Sequence, residues 1–135
     1  MGNDFYNEKT QNIVNVQDLL HRVNGNFDLL NRIVILYNKR SPELVKKIRE
    51  GIHRKDPYLV RYAAHNLRGM VSNFASVSAL QAALLMEQAG EKGDFSQADY
   101  LFENLLKELT YLTQALQEIQ EKENLPSASS TYSST

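Results

Sequence analysis

Seven apolar residues, Ala98, Phe102, Leu105, Leu109, Leu112, Leu116 and Ile119, follow one another at intervals of four, three, four, three, four and three. At 3.6 residues per turn, this spacing lays a single apolar stripe along a helix of about 25 residues. Such a stripe is stable in water only when other helices cover it. "EKGD" before it reads as a turn, and Ser96 with Asp99 three residues on reads as a capping start.

The rest of the chain is punctuated in the same way. Three prolines, six glycines and no run of alternating β-branched residues leave little room for strands. Asp56-Pro57 supplies an N-cap followed by a first-turn proline. Ser41-Pro42 is expected to start or kink a helix through "ELVKKIREGIHR". "VNGN" separates "VQDLLHR" from "FDLLNRIVILYNKR". A break near Ala75-Ser76 opens "VSALQAALLMEQAG", with Gly90 near its C-terminal end. Five or six helices result, four of them long. The expected fold is an all-α antiparallel four-helix bundle with one or two short additional N-terminal helices. The bundle is expected over residues 13–122, after a flexible segment, 1–12. A disordered tail, 123–135, should follow, because "LPSASSTYSST" has little apolar surface to bury.

At 135 residues the chain has the length of one domain. Its net charge of -1 gives no electrostatic pull towards nucleic acid or an anionic membrane. With no cysteine, disulfides and thiolate metal sites are excluded. No 18-residue apolar run is present to span a membrane. The first twenty residues lack the order of a signal peptide, and Tyr6 stands where a myristoylation site wants Ser or Thr. A soluble, cytoplasmic protein is expected, and a bundle that buries its apolar faces internally is expected to be a monomer.

The chemistry lies in "RYAAHNLRGMVSNFAS", Arg61 to Ser76. On a helical wheel, Val60, Ala63, Ala64, Met70, Val71 and Phe74 fall within about 60° of Leu67. His65 lies about 160° from Leu67, facing water, with Tyr58, Arg61, Gly69 and Ser72; Tyr62 and Arg68 flank it. Most exposed histidines have no task. Gly69 changes that reading, because a helix-interior glycine costs about 1 kcal/mol relative to alanine and no core packing demands it on this face. It opens the approach to the imidazole one turn earlier. Arg68 places a positive charge where an anion on the ring can be balanced. An imidazole, titrating near ~6.5 in its free form, is largely neutral and nucleophilic at physiological pH. Exposed imidazole, adjacent space and nearby cation suit a phosphoryl acceptor.

At these residues the sequence resembles the histidine-containing phosphotransfer domain of multistep two-component phosphorelays, with its Ala-His-x-Leu-Lys-Gly pattern. Ala64, His65, Leu67 and Gly69 match, Arg68 replaces the usual lysine, Phe74 fits the apolar position, and Ala75-Ser76 stands where Gly-Ala is common. The resemblance extends from the lead-in "VQDLLHRVNGNFDLLNR…" to the closing "GDFSQADYLFENLLKELTYLTQAL", about residues 13 to 122. It implies a phosphocarrier without kinase activity of its own. His65 would take a phosphoryl group from one receiver-domain aspartate and pass it to another. Arg68, Gly69 and Arg61 would form the phosphate neighbourhood, and Tyr58, Tyr62 and Ser72 would help dock the partner. The implied partners are response-regulator receiver domains and a sensor or hybrid histidine kinase. No cofactor is expected on this chain; Mg2+ would belong to the receiver.

Three other readings compete. A non-catalytic helical adaptor, including a degenerate relay domain, would dock partners without carrying phosphate. A dimerising histidine domain of a sensor kinase typically has an acidic residue after the histidine, where Asn66 stands here. A metal site is disfavoured because His21, His53 and His65 lie far apart and none is in a metal-ligand pairing. His21 reads as the edge of the first helix and His53 as a solvated helix end. Glu87 and Glu118 read as structural or solvated.

Overall fold

The computed structural model describes residues 5–126. Six α-helices follow in order: α1 (Glu8–Ile13), α2 (Val16–Arg22), α3 (Phe27–Arg54), α4 (Pro57–Val71), α5 (Val77–Lys92) and α6 (Ala98–Lys122), with a 3-10 turn at Ser72–Phe74. No strand occurs among the described residues. Short connections make α3 to α6 antiparallel neighbours in sequence order. α4 packs between α3 and α5, and α6 closes the ring against α5 and α3. This is an all-α four-helix bundle with two short N-terminal helices.

Local chemistry explains the helix starts. The side chains of Asn7, Asn15, Asn26 and Asp56 each accept a backbone N–H three residues on, capping α1, α2, α3 and α4. The apolar stripe on α6 is buried from Ala98 through Leu105, Leu109, Leu112 and Leu116 to Ile119, with Phe102 half-buried at its edge. Facing it are Leu30, Val34, Tyr37, Leu44 and Ile48 of α3, Val60, Leu67 and Val71 of α4, and Met86 of α5.

The punctuation works differently from expectation at four places. Pro42 does not start a helix, because α3 runs through it for 28 residues. The proline removes one backbone bond, but Tyr37 before it and Leu44 and Ile48 after it bury the same stripe, so packing holds both halves in one helix. Ser96 and Asp99 do not cap α6. Asp94 instead accepts from the Ser96 N–H (3.0 Å) and hydroxyl (2.7 Å), and α6 begins after Gln97 without a side-chain cap. α5 ends on Gly93, in the left-handed region at φ 66°, while Gly90 serves packing.

The chain ends are the fourth difference. Residues 5–12 are not a loose lead-in: Tyr6 is buried and its hydroxyl donates to the Glu123 carboxylate. Glu118 accepts from the Asn7 N–H and the Thr10 hydroxyl, each at 2.8 Å. Glu118 thus fastens α1 to α6 instead of facing water. At the other end, Leu125 N–H donates to the Gln120 carbonyl, and Asn31 Nδ2 donates to the Pro126 carbonyl. Residues 123–126 are thus tied to the bundle, and the rest of the expected tail, 127–135, lies outside the described residues.

Ala75 sits at φ 54°, ψ 41°, a left-handed conformation that disfavours any side chain with a Cβ. Ala75→Gly should relieve that strain. After the extra unfolded-state entropy of glycine is subtracted, the folded state is expected to gain about 0.5–1 kcal/mol. Urea unfolding of the two chains checks this, and a loss of stability would show that the turn is not strained.

Candidate functional site

His65 occupies the middle of α4 and points away from the core, with 61% of its side chain exposed. The core-facing side of α4, Val60, Ala63, Ala64, Leu67 and Val71, is fully buried. The helical wheel read from sequence therefore gives the right face. The Ala residues before His65 let α5 approach closely, and at Gly90 the two backbones come together. A Cβ there would lie 2.5 Å from the Arg61 nitrogen.

That close approach brings Glu87 of α5 under the imidazole. His65 Nδ1 lies 2.9 Å from Glu87 Oε2. Arg68 Nε donates to Glu87 Oε1 at 2.5 Å, and its Nη2 lies 3.5 Å from Oε2. Only 10% of the Glu87 side chain is exposed. Burial alone raises the carboxyl's pKa, but hydrogen bonds and charge from Arg68 and His65 outweigh it and hold the group below its ordinary 4.5. Glu87 is therefore ionised at neutral pH. A carboxylate only accepts hydrogen bonds, so Nδ1 carries the proton and donates to Oε2. The neutral imidazole then has its lone pair on Nε2, on the opposite edge of the ring. Arg68 Nη2, 3.3 Å from Nδ1, meets a nitrogen that is itself donating, so that contact is electrostatic crowding and Arg68 bonds to Glu87.

A cleft of about 170 Å³ beside His65 is lined by Tyr58, Arg61, Tyr62, His65 and Glu87. Tyr58 and Tyr62 stack with centroids 6.3 Å apart, Arg61 rests over Tyr58 at 5.8 Å, and Lys47 of α3 rests over Tyr62 at 5.9 Å. Four sequence-derived candidates thus meet in one cleft. Arg68 flanks the histidine, with its charge shared with Glu87. Ser72 is apart: it lies in the turn after α4, its hydroxyl donates to the Gly69 carbonyl at 2.6 Å, and it lines a different cleft.

Gly69 stands out among the five described glycines. Gly25 and Gly93 have positive φ, and Gly51 and Gly90 make room for neighbouring atoms. A Cβ on Gly69 would meet nothing within 4 Å. The chain's own packing gives no reason for this glycine, and it lies beside the exposed imidazole.

The residue that sequence reading missed is Glu87. Its cue is the helical register: Ala83, Glu87 and Gly90 share one face of α5, and that face is buried. A carboxylate on a buried face requires a donor from elsewhere. Among the described residues, no group of three or more His, Cys, Asp or Glu is placed to hold a metal ion, and no helix is long and apolar enough to cross a membrane.

No protein-family model matches the chain, and no curated protein sequence matches it. Among solved structures it is similar to the crystal structure of histidine-containing phosphotransfer protein B (HptB) from Pseudomonas aeruginosa PAO1. The likeness has a TM-score of 0.74 at 18% sequence identity and covers 84% of this chain and 96% of that one. The bundle that presents His65 on its surface has the fold of a histidine-containing phosphotransfer domain.

Proposed function

We propose that the chain is a phosphocarrier that accepts a phosphoryl group on His65 Nε2 from a receiver-domain aspartate and returns it to another. The observation that carries this reading is the Glu87–His65 pair, which engages Nδ1 and so leaves Nε2 as the lone-pair nitrogen of the neutral ring, on an exposed side chain beside a glycine with no internal role. The aspartyl phosphate of the receiver is the donor. Nε2 attacks phosphorus in line, the Nε2–P bond forms, and the P–O bond to the aspartyl carboxylate breaks with its electron pair. The Nδ1 proton stays on the ring, so the phosphorylated ring becomes cationic as the aspartate regains its negative charge. The buried Glu87 carboxylate stabilises that cation without relocating a proton. The reverse transfer follows the same path.

The chain contributes nucleophile and docking surface, with no kinase step of its own. The divalent cation that screens phosphoryl charge belongs to the receiver. Receiver domains and the kinase that charges them are the proposed partners.

The test is to mix phosphorylated receiver domains with the intact chain and, as control, with His65→Gln. Acid-labile, alkali-stable phosphate on the intact chain alone is the expected result. If receivers bind the chain and none labels it, a docking adaptor that carries no phosphate becomes the better reading.

A further inference from the structure

We propose that Arg61, and not Arg68, is the cation of this chain that binds the phosphoryl group in transit; this rests on the phosphocarrier reading. Arg68 is the nearer arginine in sequence pattern, but its Nε is committed to Glu87 at 2.5 Å. The Arg68–Glu87 pair carries no net charge. Drawing the guanidinium away would leave a carboxylate, 10% exposed, without its strongest partner. Arg68 is also on the wrong edge of the ring. It crowds Nδ1, and the phosphoryl group arrives at Nε2.

Arg61 meets the requirements that Arg68 fails. It precedes His65 by four residues, so both side chains lie on one face of α4, one turn apart. Side chains on a helix lean towards its N-terminus, which tips the imidazole over the turn that carries Arg61. Both line the same cleft. Among the described residues Arg61 has no acidic partner, and its guanidinium rests only on the exposed ring of Tyr58 at 5.8 Å. An exposed cation–π contact is weak and readily exchanged for a doubly charged anion, which a guanidinium binds through two parallel N–H donors. Tyr58 holds the guanidinium beside the cleft until the receiver's phosphoryl group enters.

Lys47 allows this specific role to be separated from general attraction. It is a cation on the neighbouring helix, held over Tyr62 at 5.9 Å, but it does not line the cleft. Removing it lowers the positive charge of the face without touching the phosphoryl path.

The experiment measures transfer from a phosphorylated receiver to the full chain, as rate against receiver concentration. It compares the intact protein with Arg61→Gln, Arg61→Lys and Lys47→Gln. Arg61→Gln is expected to lower the saturating rate by about 10- to 100-fold, with partial recovery in Arg61→Lys, which keeps charge but loses the fork. Lys47→Gln is expected to raise the half-saturating concentration and leave the saturating rate unchanged. Circular dichroism melts of the variants should match the intact chain, since both side chains are exposed. An Arg61→Gln chain that transfers at the intact saturating rate overturns the assignment, as does an equal fall in Lys47→Gln. If the intact chain takes up no phosphate from any receiver, the phosphocarrier reading fails, and this assignment with it.

Discussion

Gly90→Ala is expected to destabilise the bundle by about 3 kcal/mol or more, the upper end for overpacking in a close-fitted core. The added Cβ would lie 2.5 Å from the Arg61 nitrogen, 2.9 Å from its Cα and 3.0 Å from the Pro57 carbonyl oxygen. All three are backbone atoms of α4, so no rotamer change clears them. The two helices must separate. For a chain of this size the midpoint of thermal unfolding should fall on the order of 10 °C. The same displacement reaches the site, because Glu87 lies one turn before Gly90 and His65 one turn after Arg61. Phosphoryl acceptance should therefore fall along with stability. An alanine variant that melts with the parent would mean that α4 and α5 are not in backbone contact.

The other helical glycines calibrate the effect. At Gly51 a Cβ would meet the Val60 side chain at 2.6 Å and the Val60 nitrogen at 3.0 Å, so part of the clash is relieved by moving a methyl group, and a smaller loss is expected. At Gly69 nothing stands within 4 Å, and alanine should stabilise α4 by about 0.5–1 kcal/mol through helix propensity alone. Equilibrium unfolding should rank the three variants in that order. If Gly69→Ala also slows phosphoryl transfer while stabilising the fold, the glycine serves a partner and not the chain.

Period and punctuation made the frame readable. The four-three stripe of α6, the Asp56 cap followed by Pro57 and the exposed bearing of His65 all depend on residues within a few turns of one another. They survive translation from sequence to structure. Features that depend on which helix meets which did not. Pro42 reads as a helix start or a kink because its local penalty is visible, while the burial of Tyr37, Leu44 and Ile48 that keeps one helix running through it is a property of the bundle. Glu118 reads from sequence as structural or solvated, and only α1 folded back onto α6, placing Asn7 and Thr10 against it, decides for the structural role. Glu87 is 22 residues from His65, and its role appears only once Gly90 lets the two helices touch. The family-like motif on α4 contains the proposed phosphoacceptor His65, but the carboxylate bonded to its Nδ1 lies on another helix.

Glu87→Gln tests that coupling most directly, because it preserves shape and removes one charge. The carboxylate accepts from His65 Nδ1 at 2.9 Å and from Arg68 Nε at 2.5 Å. A neutral amide presents one oxygen and one NH2 group, so it can satisfy only one of these donors and must turn its own donor against the other. Imidazole orientation, tautomer and charge stabilisation are weakened together. Phosphoryl transfer at saturating receiver is expected to slow by about 10- to 100-fold, as when a metal-ligating histidine loses the carboxylate that orients it. Stability should fall by about 1–2 kcal/mol at neutral pH, because Arg68 is 36% exposed and water replaces part of what it loses. The loss should depend on pH in a defined direction. Glu87's folded-state pKa lies below its ordinary 4.5, so below that pH the unfolded chain binds more protons and stability falls as pH is lowered. The carboxylate's contribution is complete above about 4.5 and disappears as pH drops through the lower folded-state value. Urea unfolding of the intact chain and the variant should therefore diverge at pH 7 and converge towards pH 3. A gap that stays constant across that range would mean that Glu87 acts through packing and not through its charge. The tautomer argument for Nε2 would then lose its foundation.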